Sequence, residues 1–83
     1  MTDVLLSELN KGQFAVVRQV EDAHPNDAIA RRLREIGFVA GEPVRVIATG
    51  PIGHDAVVVQ IGFTRFALRR AEAARVMLDG AAS

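Results

Sequence analysis

Apolar residues recur along the chain in short runs that glycine and proline separate, a pattern typical of a small β-rich fold. Phe14–Val20, residues 44–49 and Ala56–Ile61 are rich in β-branched side chains and are bounded by polar or turn-forming residues. Thr64–Arg69 alternates larger apolar or hydroxyl side chains with arginine and alanine, as a half-buried strand does. The pattern predicts these four strands, with residues 75–78 as a closing fifth.

One segment between the first two predicted strands has the helical period instead. Its apolar residues fall at positions i, i+4 and i+7, namely Ile29, Leu33 and Ile36. Asn26 or Asp27 can cap the start of this helix, and Gly37 stands where a left-handed residue ends one. A short helical turn is predicted over residues 70–74. Together these elements predict a mainly β, partly open barrel with one short α-helix.

The composition fits a single core-rich domain. The chain has 83 residues, of which 49% are hydrophobic, and we expect the domain to cover residues 1–78 and residues 79–83 to form a frayed tail. Zero cysteines exclude disulfides, thiol chemistry and cysteine-type zinc sites. The formal net charge is zero and there is no Trp or Tyr, so neither nucleic acid nor proline-rich peptides are expected partners.

The charge pattern also predicts where the protein works. The uncharged stretch over residues 56–64 is far shorter than the roughly 18 to 20 residues that a membrane-spanning helix needs. Asp3 lies where a signal peptide would carry positive charge, and no apolar segment of the required kind follows. A cytoplasmic protein is therefore expected, reaching a membrane only through a partner.

Several segments in a fixed order resemble the ferrous iron transport protein A (FeoA) family. They are Leu-Ser-Glu-Leu at 6–9 with Gly12 and Gln13, Arg-Leu-Arg-Glu-Ile-Gly-Phe at 32–38 with Gly41 and Val44, Pro-Ile-Gly at 51–53, and Ala-Leu-Arg-Arg at 67–70 with Glu72 and Ala73. Two positions depart from the family pattern: Ala71 stands where a second acid is frequent, and His54 lies in a turn where no histidine is expected.

The resemblance implies an SH3-like barrel and a non-enzymatic, cytosolic accessory role in bacterial ferrous iron uptake. The implied partner is the cytosolic region of the GTP-hydrolysing ferrous iron permease (FeoB). The barrel is also similar to the C-terminal domain of iron-dependent repressors. A repressor is not expected, however, because a barrel that takes up the 83 residues leaves no room for a DNA-reading helix pair.

Arginine is the feature most suggestive of a protein contact, because nine of the ten basic residues are arginine. Arg31 and Arg34 lie on the predicted helix and Arg69 near the last hairpin. Phe38 and Ile52 are predicted to be exposed apolar tips that anchor the contact. These five residues form the predicted partner surface, and the edge strands of a partly open barrel would also permit a homodimer.

A second hypothesis is a transition-metal sensor or carrier. His24 with Glu21 and His54 with Asp55 are imidazole and carboxylate pairs of the type that Fe²⁺ and Zn²⁺ accept. Each loop alone has too few ligands, so a site requires the two loops to meet in the fold or across two chains. Adventitious capture of zinc or iron is the milder version, and no cofactor is required. No nucleophile elbow, metalloprotease pair or phosphate loop is present, so no catalysis is expected.

Overall fold

A single antiparallel sheet organises residues 4–50 and 55–82, which the computed structural model describes. The strand order is β1-β6-β2-β3-β4-β5. In chain order the strands are β1 (Val4–Leu5), β2 (Phe14–Val20), β3 (Pro43–Thr49), β4 (Ala56–Ile61), β5 (Thr64–Arg69) and β6 (Val76–Ala82). The other elements are a 3₁₀ turn (Leu6–Glu8), helix α1 (Ala28–Ile36) and the one-turn helix α2 (Arg70–Ala73).

The mainly β prediction is confirmed, and the sheet stays open between its end strands β1 and β5. Helix α2, which follows β5, packs against the 3₁₀ turn that follows β1, so the two ends of the sheet approach each other. The structure has one strand more than the five predicted, because β1 has only two residues and leaves no alternating pattern to detect. In the described parts of the chain, no helix is long and apolar enough to cross a membrane.

The predicted bounds of β2, β4 and β5 are confirmed, and β3 begins one residue earlier than predicted. The main difference lies at the end of the chain. Strand β6 continues to Ala82 and pairs with β2, with Ala81 opposite Ala15 and Ala82 opposite Phe14. Residues 79–82 therefore extend the sheet instead of fraying, because β2 offers them a pairing partner that local sequence does not reveal.

The core lies on the inner face of the sheet, beneath α1. Alternate residues of β4 are buried, as are Leu33 of α1 and Leu78 of β6. Phe38 is also fully buried, and its ring centroid lies 5.9 Å from that of Phe66. The prediction that Phe38 is an exposed tip is therefore wrong.

The helix ending explains why Phe38 points inward. Gly37 has φ +124°, and the Phe38 N–H donates to the Leu33 carbonyl at 3.0 Å while the Gly37 N–H donates to that of Arg34 at 3.3 Å. This is the Schellman arrangement, in which the residue after the left-handed glycine packs against the last helical turn. Phe38 and Leu33 accordingly enter the core together.

Helix α1 is held at its start by Asp27, one of the two residues predicted to cap it. Its Oδ1 accepts the N–H groups of Ile29 at 3.1 Å and Ala30 at 3.3 Å. Its Oδ2 accepts the Ala23 N–H at 2.8 Å and the Arg75 Nε–H at 2.6 Å. These donors, with the Arg75 hydrogen bond as the largest cause, hold the pKa of the Asp27 carboxyl well below its usual range.

Candidate functional site

A groove of about 360 Å³ separates α1 from β5 and is the strongest candidate for a binding site. Its large, partly exposed apolar residues are Ile29 and Ile36 on the helix and Phe66 on the strand. Ile29 is 39% exposed although it is a large apolar residue. We call this site the β5 groove; its lining residues are Ala28, Ile29, Arg32, Leu33, Ile36, Phe66, Ala67, Leu68 and Glu72.

The helical spacing places the apolar and charged residues of the groove together. Ile29 and Arg32 are three residues apart, so both face the same side of α1, and Ile36 lies one turn further on. Leu33 is buried beneath them and fixes the helix on the sheet. The groove thus presents an exposed isoleucine beside an arginine on one rigid helical face.

Strand β5 forms the other wall and is an end strand of the sheet. Its side chains alternate: Phe66 and Leu68 turn toward the core, whereas Arg65, Ala67 and Arg69 are exposed. Within the described ranges, β5 pairs with β4 on one side and with no strand on the other. An apolar groove and an unpaired strand edge therefore lie side by side.

The arginines divide into those that the fold uses and those that it leaves free. Arg34 donates through Nη2 to the Val20 carbonyl at 2.7 Å and to Asp22 Oδ1 at 2.8 Å. Arg75 binds Asp27, as described above. Arg18 lies 4.0 Å from Asp79, and Arg45 covers the Phe14 ring. Among residues 4–50 and 55–79, no carboxylate forms an ion pair with the other five, namely Arg31, Arg32, Arg65, Arg69 and Arg70.

The structure accordingly sorts the predicted partner surface. Arg31 and Arg69 are exposed and unpaired within the described chain, as a contact requires. Arg34 is engaged with the end of β2, and Phe38 is buried. Ile52 lies outside the described residues. Sequence reasoning missed Ile29 and Arg32. The available signal was their shared helical face, because the two residues are three positions apart on α1.

A second groove, of about 420 Å³, lies on the outer face of the sheet. Phe14, Arg45 and Gln60 lie side by side across β2, β3 and β4. The Arg45 guanidinium lies 5.8 Å from the Phe14 ring centroid and covers it in a cation–π contact. The cation of this groove is thus already engaged, in contrast to Arg32 in the β5 groove.

Phe63 is the most exposed large apolar residue described, and the sequence analysis did not single it out. It lies with Gly62 in the two-residue turn between β4 and β5, and Gly62 has φ +59°. A glycine at the first turn position is typical of a type II′ hairpin. The Gly-Phe pair between two alternating strands was the signal that places this ring at a hairpin tip.

The predicted metal ligands remain a prediction. His24 is exposed; its Nε2 lies 3.9 Å from Asp27 Oδ1, and its Nδ1 lies 3.1 Å from the Pro25 carbonyl oxygen. Both Asp27 oxygens already accept hydrogen bonds, so this carboxylate is poorly suited to a metal. Glu21 and Asp55 are exposed, and His54 lies outside the described residues. Within the described ranges, no three histidine or carboxylate side chains group as a metal site.

An open antiparallel sheet whose two ends are brought near each other by short helical turns defines a small SH3-like β domain. Within that class, the chain belongs to the FeoA family: the family model, described as FeoA domain, matches residues 4–79. This family is implicated in ferrous iron transport. A comparison with curated proteins finds no match.

Solved structures agree with this assignment. The chain is 60% identical to FeoA of Stenotrophomonas maltophilia, with a TM-score of 0.86 over 92% of this chain and 89% of that one. That protein was crystallised with zinc and is described as a prokaryotic SH3 domain protein and a candidate activating factor of ferrous iron transport. FeoA from Chlorobium tepidum is 33% identical, with a TM-score of 0.75, over 90% of this chain and 69% of that one.

The fold is also shared with a protein of another role. A manganese-dependent transcriptional repressor superposes with a TM-score of 0.76 at 21% identity, over 92% of this chain and 40% of that one. At this identity the likeness concerns the fold alone. The function of the chain must therefore be argued from its surface.

Proposed function

We propose that this protein is a non-enzymatic accessory protein of bacterial ferrous iron uptake, acting at the cytosolic side of the membrane. It binds the cytosolic region of the ferrous iron permease and promotes uptake through that contact. The protein supplies a surface and no reaction, so its effect depends on the affinity and position of the contact.

The β5 groove is the observation that carries this proposal. Protein interfaces combine a buried apolar anchor with a polar rim, and arginine is enriched in them. Here Ile29 is the anchor, and Arg32 and Arg69 are cations without an internal partner in the described chain. Such a surface suits a partner that offers an apolar side chain flanked by carboxylates.

The chemistry of this surface sets how the contact responds to salt. Exposed arginines raise the association rate and the selectivity of an encounter more than they raise its affinity. Their field is screened over roughly 8 to 10 Å at physiological ionic strength. The apolar part of the contact is much less sensitive to salt, so the complex should weaken with salt but persist.

An amide NMR titration of the labelled protein with the permease's soluble GTP-binding domain tests the proposal. We expect chemical shift changes clustered around Ile29, Arg32 and Ala67, with an apparent affinity that falls as salt rises. Ile29→Asp should abolish the changes and the stimulation of iron uptake, because a carboxylate cannot enter an apolar pocket that already faces carboxylates of the partner.

Arg45→Glu is the matched control, since it reverses an exposed arginine of the sheet that lies in the other groove. It should leave the titration unchanged. The proposal fails if the domain and the complete permease both cause no shifts, or if folded Ile29→Asp protein stimulates uptake normally.

A further inference from the structure

We propose that the open edge of β5 takes up an extended, acidic segment of a protein partner as an additional strand of the sheet. In this complex, apolar side chains of the segment enter the β5 groove and its carboxylates pair with Arg65 and Arg69. The identification of this segment as part of the permease rests on the proposed function. The inference that β5 has a binding edge does not rest on it.

The backbone of β5 has donors that point away from the sheet. The Arg69 N–H donates to Glu72 Oε1 at 2.7 Å, so it does not point toward β4. Neighbouring groups in an antiparallel pair alternate in direction, so the N–H groups of Ala67 and Arg65 point the same way as that of Arg69. In the described chain, no backbone hydrogen bond outside the β4–β5 pairing involves either of them.

The turn between β4 and β5 independently indicates the same direction for these N–H groups. Ile61 and Thr64 are opposite each other across the two-residue turn, which makes them the hydrogen-bonded closing pair of the hairpin. The next pair, Gln60 with Arg65, is then of the non-hydrogen-bonded kind, and so is Val58 with Ala67. The backbone donors and acceptors of Arg65 and Ala67 are therefore free of β4.

The groove runs along this edge and not over one face of the strand, because Phe66, Ala67 and Leu68 are consecutive and all line it. A segment paired with β5 would place alternate side chains against Ile29 and Ile36 of α1. Main-chain hydrogen bonds would then supply affinity, and the groove would supply selectivity for apolar residues at alternate positions.

The charges on β5 decide which occupant fits. In an antiparallel pair of two copies centred on Ala67, Arg65 of one copy would lie opposite Arg69 of the other. Like charges directly opposite each other destabilise a strand pair, whereas opposite charges stabilise it. An acidic segment therefore fits the edge better than a second copy of this chain, and Arg32 in the groove adds to this preference.

The direct test is amide hydrogen exchange on the intact labelled protein with a synthetic peptide that alternates valine and glutamate. At a peptide concentration about ten times its dissociation constant, we expect exchange at Arg65 and Ala67 to slow roughly tenfold. A peptide with lysine in place of glutamate should give no protection. Ala67→Pro removes the central donor, which β4 does not use, and should abolish the effect.

A charge exchange keeps the test independent of how well Ala67→Pro folds. The double variant Arg65→Glu and Arg69→Glu should no longer bind the glutamate peptide and should bind the lysine peptide instead. Arg45→Glu, the matched change on β3, should keep the original preference. Equal protection by both peptides, or none by either, overturns the inference. Protection that instead rises with protein concentration alone would show that a second copy occupies the edge.

The same exchange experiment with the permease's GTP-binding domain separates this inference from the proposed function. Binding of the domain without protection of Ala67 would overturn the identification of the segment with that domain and leave the accessory role intact. Protection of Ala67 by the peptide, with no binding to any part of the permease, would overturn the accessory role and leave the edge site intact.

Discussion

Two regions of the molecule use arginine in opposite ways. Where α1 begins, Arg75 is 11% exposed and binds Asp27, whose side chain is 1% exposed, through a 2.6 Å hydrogen bond. Along β5, Arg65 and Arg69 are exposed and have no ion pair within the described chain. A chain with no net charge can therefore still carry local positive charge, because the arginines of β5 have no carboxylate of the described chain within ion-pair distance.

The two regions also differ in the effect of removing one charged side chain. Asp27 satisfies four donors at the junction of α1 with the end of α2, and Arg75 also donates to the Ala71 carbonyl at 2.8 Å. Removal of one partner leaves the other buried and unpaired, which is costly. An arginine of β5 stands in water, and its loss leaves nothing unsatisfied.

The largest expected effect follows from Asp27→Ala. This change removes the helix cap and strands Arg75 in a buried site, and we expect the melting temperature to fall by roughly 10 °C or more. Thermal unfolding followed by circular dichroism measures it. Asp27→Asn keeps an acceptor for the helix, so its melting temperature should lie between those of the wild type and Asp27→Ala. A melting temperature of Asp27→Ala close to that of the wild type would show that the junction does not hold the fold together.

The pH dependence of stability sharpens the same comparison. The pKa of Asp27 is lower in the folded protein than in the unfolded chain, so its ionised form stabilises the fold. This contribution is present above an unfolded pKa of about 4 and is lost as the pH falls below it toward the folded pKa. Urea unfolding between about pH 5 and pH 2 should show a steeper loss of stability for the wild type than for Asp27→Asn.

Asp79→Asn is the control for that experiment. Asp79 lies 4.0 Å from Arg18 in an exposed pair, with 59% of its side chain accessible. Its removal should leave the slope of stability against pH nearly unchanged, because water screens such pairs. Equal slopes for the wild type and Asp27→Asn would refute a special role for the Asp27 carboxylate.

Much of the fold could be predicted because local sequence patterns determine it. Strands β2, β3 and β4 follow from β-branched runs and β5 follows from its alternation. The two ends of α1 follow from the Asn26–Asp27 pair and from Gly37. Phe38 was misplaced although its signal was also local: an apolar residue directly after a helix-ending glycine packs against the last turn. A hydrophobic residue at that position should therefore be assigned to the core.

The Asp27–Arg75 pair and the candidate site were harder to predict, because each depends on which distant parts of the chain meet. Asp27 and Arg75 are 48 residues apart, and nothing near either residue indicates the pair. The β5 groove likewise joins the face of α1 to a strand that becomes an edge only through the order of the sheet. Arg31 and Arg69 could be predicted as exposed cations, whereas the use of Arg34 by the fold could not.

The smallest effects distinguish two arginines of the same helix. Arg34→Ala removes hydrogen bonds to the Val20 carbonyl and to Asp22 and should cost about 1 kcal/mol of unfolding free energy, or roughly 4–8 °C in melting temperature. Arg32→Ala removes no hydrogen bond or ion pair of the described chain and should stay within about 0.5 kcal/mol of the wild type.

For partner binding, Arg32→Ala should have the larger effect and Arg34→Ala the smaller one. Arg32 lines the β5 groove, so its loss should weaken binding of the acidic peptide roughly two- to fivefold. Arg34 faces the end of β2, and its loss should leave the peptide affinity unchanged. Thermal unfolding and peptide titration on the same two variants provide the measurement. If both variants lose stability but not affinity, or affinity but not stability, then α1 does not divide its arginines between fold and recognition.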